Sequence, residues 1–181
     1  MYLIKRTSDI VTSPAKNFGN KQQGFTLLEV LIALLVLSIG LLGLAALQTT
    51  GLRSNEMASM RTTSTMLAYD ISDRMRANPQ GTIDGDYIIN SDPVTGTIPD
   101  CTSASSTDCT TAELATFDLS QWKTALAQLP GGQGDISQAA GTPLVNTITV
   151  RWDENRTGAI GTDCPPQDST DLRCFRLVLS E

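Results

Sequence analysis

The sequence predicts an α+β protein in which one long amino-terminal helix carries a small antiparallel sheet on its outer half. Three observations lead to this prediction. Residues 25–47 form an almost unbroken apolar run, and no proline occurs between Phe25 and Pro79. The last third of the chain alternates apolar and polar residues, as half-buried strands do. We therefore expect the helix first and the sheet last.

The apolar run, residues 25–47, predicts a transmembrane helix. At about 1.5 Å per residue it is long enough to cross a hydrocarbon layer of roughly 30 Å. Glu29 is its only charged residue. An acidic side chain at mid-membrane costs on the order of 2.5–3.5 kcal/mol, so it normally marks a pairing site. We interpret Glu29 as a candidate assembly residue.

Residues 1–24 differ from this run in charge, and we interpret them as a leader. They hold four basic residues and one acidic residue, namely Lys5, Arg6, Lys16, Lys21 and Asp9. Because the whole chain carries a net charge of −6, the chain from Phe25 onward carries −9. Basic residues ahead of the span favour a cytoplasmic amino terminus, with everything after residue 47 on the other side of the inner membrane. The acidic balance makes nucleic acid an unlikely partner, since phosphate contacts need concentrated Lys and Arg.

The junction of leader and span, Gly24-Phe25-Thr26-Leu27-Leu28-Glu29, resembles the processing site of type IV prepilins and pseudopilins. The resemblance implies that a prepilin peptidase cuts after Gly24 and methylates the new amino terminus at Phe25. A secretory signal is cut after its apolar region, whereas here the apolar helix would be retained. Glu29 lies one turn from Phe25, so its carboxylate and the new ammonium share a helix face. In lipid each would seek an opposite charge, which a neighbouring subunit can supply.

Further segments are similar to the minor pilins called type IV pilus modification proteins, the PilV family. They are residues 38–48, Leu52-Arg53, residues 67–70 and 73–79, and further along Trp122 with residues 129–132 and the strand at 150–152; from Asp153 onward the similarity is loose. The resemblance implies a low-copy subunit that joins other minor pilins and the major pilin, primes or caps pilus assembly, and supports a tip adhesin. It thereby implies roles in pilus biogenesis, twitching motility and adhesion.

Two other functions of pilin-like proteins remain open. A minor pseudopilin of a type II secretion system would share the processing motif. A competence-type pilin that captures DNA would need its arginines to form one exposed patch, and the candidates are Arg151, Arg156, Arg173 and Arg176. We expect these arginines to be scattered over the polar faces of strands.

The outer half of the long helix, residues 48–78, carries an apolar stripe. The stripe residues recur at steps of three and four: Met57, Met60, Ser64, Leu67, Ile71 and Met75. We expect this face to pack on the chain's own domain. The helix should end near Ala77, because Asn78-Pro79-Gln80-Gly81 is a stop signal.

Residues 79–181 predict an extracytoplasmic domain with cysteine loops. Residues 81–116 are rich in loop residues, with a short strand at 85–90. Asp118 is the predicted cap of a short helix whose apolar residues share one face: Leu119, Trp122, Leu126 and Leu129. Strands are predicted at 135–137, 147–152 and 173–179, and residues 153–174 form a loop.

Four cysteines follow the span, in a compartment where disulfides persist. Their spacing favours two short loops, closed by Cys101–Cys109 and Cys164–Cys174. A zinc site is the competing interpretation, but the tight ligand spacing is absent and the chain contains no histidine.

Catalysis is not expected of this chain, and no cofactor is implied. It has no histidine to act as a base and no Gly-rich phosphate loop. A group of acidic residues could bind calcium, although their spacing is not that of an established calcium loop: Asp153, Glu154, Asp163, Asp168 and Asp171. We interpret them as solvated loop residues.

Overall fold

The computed structural model describes residues 24–102, 109–139 and 145–180. Contacts divide the chain into two units, Met1–Ala46 and Leu47–Glu181. Helix α1, Leu27–Ala77, has 51 residues and contributes to both units. Its length at helical rise is about 77 Å, and it ends at the residue that the sequence predicts.

The described part of the first unit is the start of α1 and the three residues before it. All its side chains from residue 24 to 46 are exposed. An 18-residue window of α1 has a mean hydropathy of 2.9. Within the part of the chain that the structure describes, α1 is the one helix long and apolar enough to cross a membrane.

The second unit contains the outer half of α1, two shorter helices and an antiparallel sheet. The helices are α2, Pro79–Asp84, and α3, Thr111–Leu126. The strands are β1, Gln133–Gln138, β2, Val145–Trp152, and β3, Arg173–Ser180, in the order β1-β2-β3. The long helix and the small antiparallel sheet confirm the predicted fold class.

Helix α2 occupies the place where the sequence predicts only a stop. Asn78 caps it, since its Oδ1 accepts a hydrogen bond from Gly81 N at 3.3 Å. Gly85 ends it in the left-handed conformation, with φ at +82°. The strand predicted for 85–90 is reduced to one bridge, in which Ile89 pairs with Ile136 of β1.

Helix α3 begins earlier than predicted, and the cap assigned to Asp118 is wrong. Thr110 caps the helix, and its side chain and that of Glu113 form a capping box. This Thr-x-x-Glu signal precedes the apolar face by more than a turn, so α3 is longer and Asp118 falls in its middle. The apolar face itself is confirmed, because Leu119, Trp122 and Leu126 are buried.

The core of the second unit lies between α1, α3 and the sheet. It joins Met60, Ala68, Ile71 and Met75 of α1 to Trp122 of α3 and to the inner face of β2, which presents Ile148, Val150 and Trp152. The predicted stripe on α1 is confirmed in part, since Met57 and Leu67 are only partly buried.

The other face of β2 is also covered, contrary to the expectation of a half-buried strand. Thr149 and Arg151 are buried there, and Arg151 Nε donates to the carbonyl of Thr162 at 2.8 Å. Part of the loop after β2 therefore folds back over the central strand.

Candidate assembly site

The chain enters α1 through three non-helical residues, Gly24 to Thr26. Thr26 caps the helix, because its Oγ1 accepts a hydrogen bond from Glu29 N at 3.2 Å. The Thr26 carbonyl also accepts bonds from Glu29 N and Val30 N. This cap is not among the sequence predictions above, although its signal, Thr-x-x-Glu, is present within the processing motif. The cap fixes the start of helical geometry two residues beyond Phe25.

The bond between Gly24 and Phe25 lies in the non-helical stretch. A Cβ added at Gly24 would meet no described atom within 4 Å. The side chain of Phe25 is 84% exposed. Within the described chain, no packing contact therefore requires glycine at 24 or phenylalanine at 25. A non-helical, exposed peptide bond is also the form of substrate that a peptidase can bind.

Glu29 lies in the first turn of α1 and is exposed. A carboxylate in this position interacts favourably with the positive end of the helix dipole. Among the described residues no basic side chain forms a salt bridge with it. The carboxylate is therefore available to a partner outside the described chain.

The rest of the apolar half of α1 has little need for polar partners. Ser38 Oγ donates to the carbonyl of Leu34 at 2.7 Å, which satisfies the one hydroxyl in residues 27–47. Gly40 and Gly43 face open space, with no described atom within 4 Å of an added Cβ. An apolar, small-residue surface of this kind can be packed by other helices.

In the second unit, a buried carboxylate links α1 to the loop that follows β2. Both oxygens of Glu154 accept from Arg61 of α1, at 2.5 Å from Nε and 3.1 Å from Nη2. Arg173 of β3 forms a salt bridge with the same carboxylate at 3.2 Å. The Glu154 side chain is 3% exposed. Hydrogen bonding to Arg61 lowers the pKa of Glu154 below its usual value, so the carboxylate stays ionised at neutral pH.

The next two residues of that loop also contact α1. Arg156 forms a salt bridge with Glu56, and Asn155 Oδ1 accepts from Arg53 Nη2 at 3.4 Å. Arg156 has φ at +54°, a left-handed conformation that is uncommon for a residue with a side chain. Residues 154–156 thus hold the loop to three successive turns of α1. We call these contacts the helix clamp.

A second polar cluster lies where α1 ends. Asp118 is buried, and its carboxylate accepts from the Tyr87 hydroxyl at 2.7 Å and from Arg74 Nη1 at 3.0 Å. Asn78 Nδ2 donates to the Tyr87 hydroxyl oxygen at 3.3 Å. Burial and the bond to Asp118 raise the pKa of Tyr87 above its usual range. The sequence marks Asp118 as a helix signal, whereas its position shows a structural role between α1 and α3.

Lys123 links α3 to two other segments. Its Nζ donates to the carbonyls of Asn90 at 2.5 Å and Gly134 at 2.6 Å. Burial lowers the pKa of Lys123 to about 8. With the neighbouring Trp122, whose Nε1 donates to the Leu67 carbonyl at 2.9 Å, it fixes α3 between α1 and β1.

The four arginines proposed for a DNA-binding patch do not form one. Arg151 is buried and paired with Asp135, while Arg156 forms a salt bridge with Glu56 and Arg173 forms one with Glu154. Arg176 is exposed and donates to the carbonyl of Cys164 at 2.8 Å. Three of the four positive charges are therefore compensated by carboxylates.

The cysteines form two disulfides in the structure, Cys101–Cys109 and Cys164–Cys174, each with 5.9 Å between the Cα atoms. These are the pairs that the short spacings favour, and they leave no thiol for zinc. The second disulfide joins the loop after β2 to β3.

Three acidic residues of that loop, Asp153, Asp168 and Asp171, accept hydrogen bonds from within the protein. Asp153 accepts from Gly158 N, Asp168 accepts from Thr170, and Asp171 accepts from Gln167 N. They line a polar cleft of about 340 Å³. Within the described ranges, no three acidic or metal-binding side chains are grouped as a metal site.

Two family models match the chain. Residues 19–45 match the prokaryotic N-terminal methylation motif, and residues 46–120 match the family described as type IV pilin Tt1218. No curated protein and no solved structure matches the chain significantly. The two matched segments adjoin each other and together cover residues 19–120, which include α1, α2 and most of α3.

Proposed function

We propose that this chain, a member of the type IV pilin superfamily, is a minor pilin of the PilV kind that helps to prime or cap pilus assembly. It would thereby serve pilus biogenesis, twitching motility and adhesion. One observation carries the proposal: the exposed, non-helical Gly24-Phe25 bond directly precedes a capped apolar helix with Glu29 in its first turn. Each part of this arrangement has a use in processing or assembly.

Processing by a prepilin peptidase requires the exposed bond between Gly24 and Phe25. Cutting after Gly24 removes the basic leader and leaves an ammonium group at Phe25, which the same enzyme methylates. The new terminus lies just ahead of the Thr26 cap, one turn from Glu29. Inside lipid, this ammonium pairs with the acidic group of a subunit already in the filament, and Glu29 remains available to the next subunit.

The cellular location is inferred from the charge of the amino-terminal segment. The basic leader supports a cytoplasmic amino terminus, so the second unit lies in the periplasm before assembly. The two disulfides fit that compartment. Its partners are then other minor pilins, the major pilin and, through them, a tip adhesin.

The first experiment tests processing with the substitution Gly24→Leu. A bulky residue at the cleavage site should leave the leader attached, which intact-mass analysis of membrane-extracted protein detects. Gly40→Leu is the matched control, because it places the same side chain in open space within the span. Normal cleavage of the Gly24 variant, or a mature terminus other than Phe25, contradicts the processing step.

The second experiment tests the role in the pilus. Deletion of the protein should reduce surface piliation and twitching, and the parent protein but not Gly24→Leu should restore them. Normal piliation with loss of type II secretion would instead identify a pseudopilin. Loss of DNA uptake in fully piliated cells would indicate a competence pilin, which the compensated arginines do not favour.

A further inference from the structure

The sheet has one closed edge and one open edge. At the β1 edge, Ile89 and Ile136 exchange two backbone hydrogen bonds of 3.1 and 2.9 Å. At the other edge, β3 pairs with β2 alone, and no other strand lies beside it in residues 24–102, 109–139 and 145–180. An edge strand presents unpaired N–H and C=O groups that can pair with another chain.

Apart from two exposed arginines, Arg173 and Arg176, strand β3 lacks the features that usually protect such an edge. Its eight residues pair with β2 in an unbroken register, from Val145 opposite Ser180 to Trp152 opposite Arg173. It contains no proline and no lysine, and the register has no bulge. The edge is therefore long and regular enough for a further strand.

The side chains of β3 leave apolar surface incompletely covered. Phe175 and Leu177 face the core but are only partly buried. On the opposite face, Val178 is 58% exposed. A strand added at this edge would bring its own side chains next to both surfaces, because successive residues alternate between the two faces of a sheet.

The charge of β3 indicates what kind of strand fits. Arg173 is compensated by Glu154, whereas Arg176 makes its one described contact with a carbonyl, that of Cys164. The outer face thus carries one positive charge without a described carboxylate. A second copy of the chain would bring another Arg176 to the same edge, and each copy carries −9 from Phe25 onward. Both effects disfavour self-pairing and favour a foreign strand with an acidic residue.

We propose that the open edge of β3 binds an extended segment of another protein as a fourth strand. Apolar residues of that segment lie beside Phe175 and Leu177, and an Asp or Glu on its other face lies opposite Arg176. Main-chain hydrogen bonds supply affinity, and the alternating side chains supply specificity. This inference goes beyond the proposed function and does not depend on it.

The test selects binders from a library of random nine-residue peptides, using the full-length chain in detergent micelles as bait. The parent should enrich peptides that alternate apolar residues with Asp or Glu. Arg176→Glu should enrich basic residues at the acidic position, and it should weaken the parent's peptides about two- to fivefold. Arg76→Glu is the matched control, since it makes the same charge change on an exposed residue of α1. Tryptophan fluorescence confirms that each bait is folded.

The enriched peptide is then tested for strand pairing. N-methylation of alternate backbone nitrogens along one edge of the peptide should abolish binding, whereas methylation along its other edge should not. The proposal is overturned if no peptide is enriched, if Arg176→Glu and Arg76→Glu behave alike, or if both methylated peptides bind equally. A dimer that the peptide dissociates would make the occupant a second copy and would equally overturn it.

Discussion

The two halves of α1 differ in how their charges and apolar side chains are accommodated. In residues 27–46 every side chain is exposed, and Glu29, the one charged group, has no described partner. In residues 47–77 each charged side chain is bonded to another side chain of the second unit, and a buried stripe joins the core. The charged side chains of the outer half are thus paired within its own chain. The first half is suited to neighbours that lie outside it.

The first prediction concerns the charge without a partner. Glu29→Ala should spare cleavage but remove a membrane-buried pairing worth roughly 2–3 kcal/mol, which lowers incorporation into pili on the order of 50-fold. Incorporation is measured by immunoblotting sheared pili against the membrane fraction.

The same variant also tests whether Glu29 contributes to the stability of the second unit. Trp122 and Trp152 are the only tryptophans of the chain and both lie in the second unit, so their fluorescence reports its unfolding alone. The Glu29 variant should melt with the parent by this measure. Unchanged incorporation would show that this carboxylate has no role in assembly.

The second prediction concerns one disulfide of the second unit, Cys164–Cys174, whose loss should lower stability without affecting processing. Replacing Cys164 and Cys174 together by serine should destabilise this unit by roughly 2–3 kcal/mol, because the short loop is no longer closed in the unfolded chain. Urea unfolding followed by tryptophan fluorescence measures the loss, while cleavage after Gly24 should be unaffected. Equal unfolding midpoints for variant and parent would contradict it.

The features of the fold that the sequence predicts correctly are those that local patterns encode. The apolar run, the stop after Ala77 and the alternation in the last third suffice for the long helix and the sheet. The helix caps at Thr26 and Thr110 are equally local, and their Thr-x-x-Glu spacing is visible in the sequence.

Other features depend on contacts between distant segments, which no local pattern contains. The residues that follow Asp118 in the sequence favour it as a helix cap. Its actual role, a buried acceptor for Tyr87 and Arg74, depends on segments that are distant in the sequence. The sequence places Arg151 on the polar face of a strand. In the structure the loop after β2 covers that face. Partners such as Glu154, 93 residues from Arg61, likewise cannot be assigned from the sequence.

The third prediction weakens the helix clamp. Glu154→Gln should destabilise the second unit by about 1–2 kcal/mol, since the carboxylate is buried although both arginines are largely exposed. Asp73→Asn, which breaks an exposed pair within α1, is the matched control and should change stability by less than about 0.5 kcal/mol.

The pH dependence of the parent checks the same contact. The pKa of Glu154 is lowered in the folded state, so its contribution is complete above its ordinary value near 4.5 and is lost as the pH falls through the folded value. The stability difference between parent and Glu154→Gln should therefore shrink below pH 4.5. A difference that stays constant from pH 7 to pH 3 would show that the clamp acts by packing alone.

The smallest expected effect comes from Lys123. Its pKa is lowered to about 8, so between pH 8 and the ordinary value near 10.5 the unfolded chain binds more protons and stability rises with pH. Because the group is only half-buried, the gain between pH 7.5 and 9.5 should be about 3 °C in melting temperature. The raised pKa of Tyr87 affects stability only at higher pH, outside this window. Lys123→Met removes the titrating group, so its melting temperature should stay level across the same range, and an identical rise would assign the effect to another group.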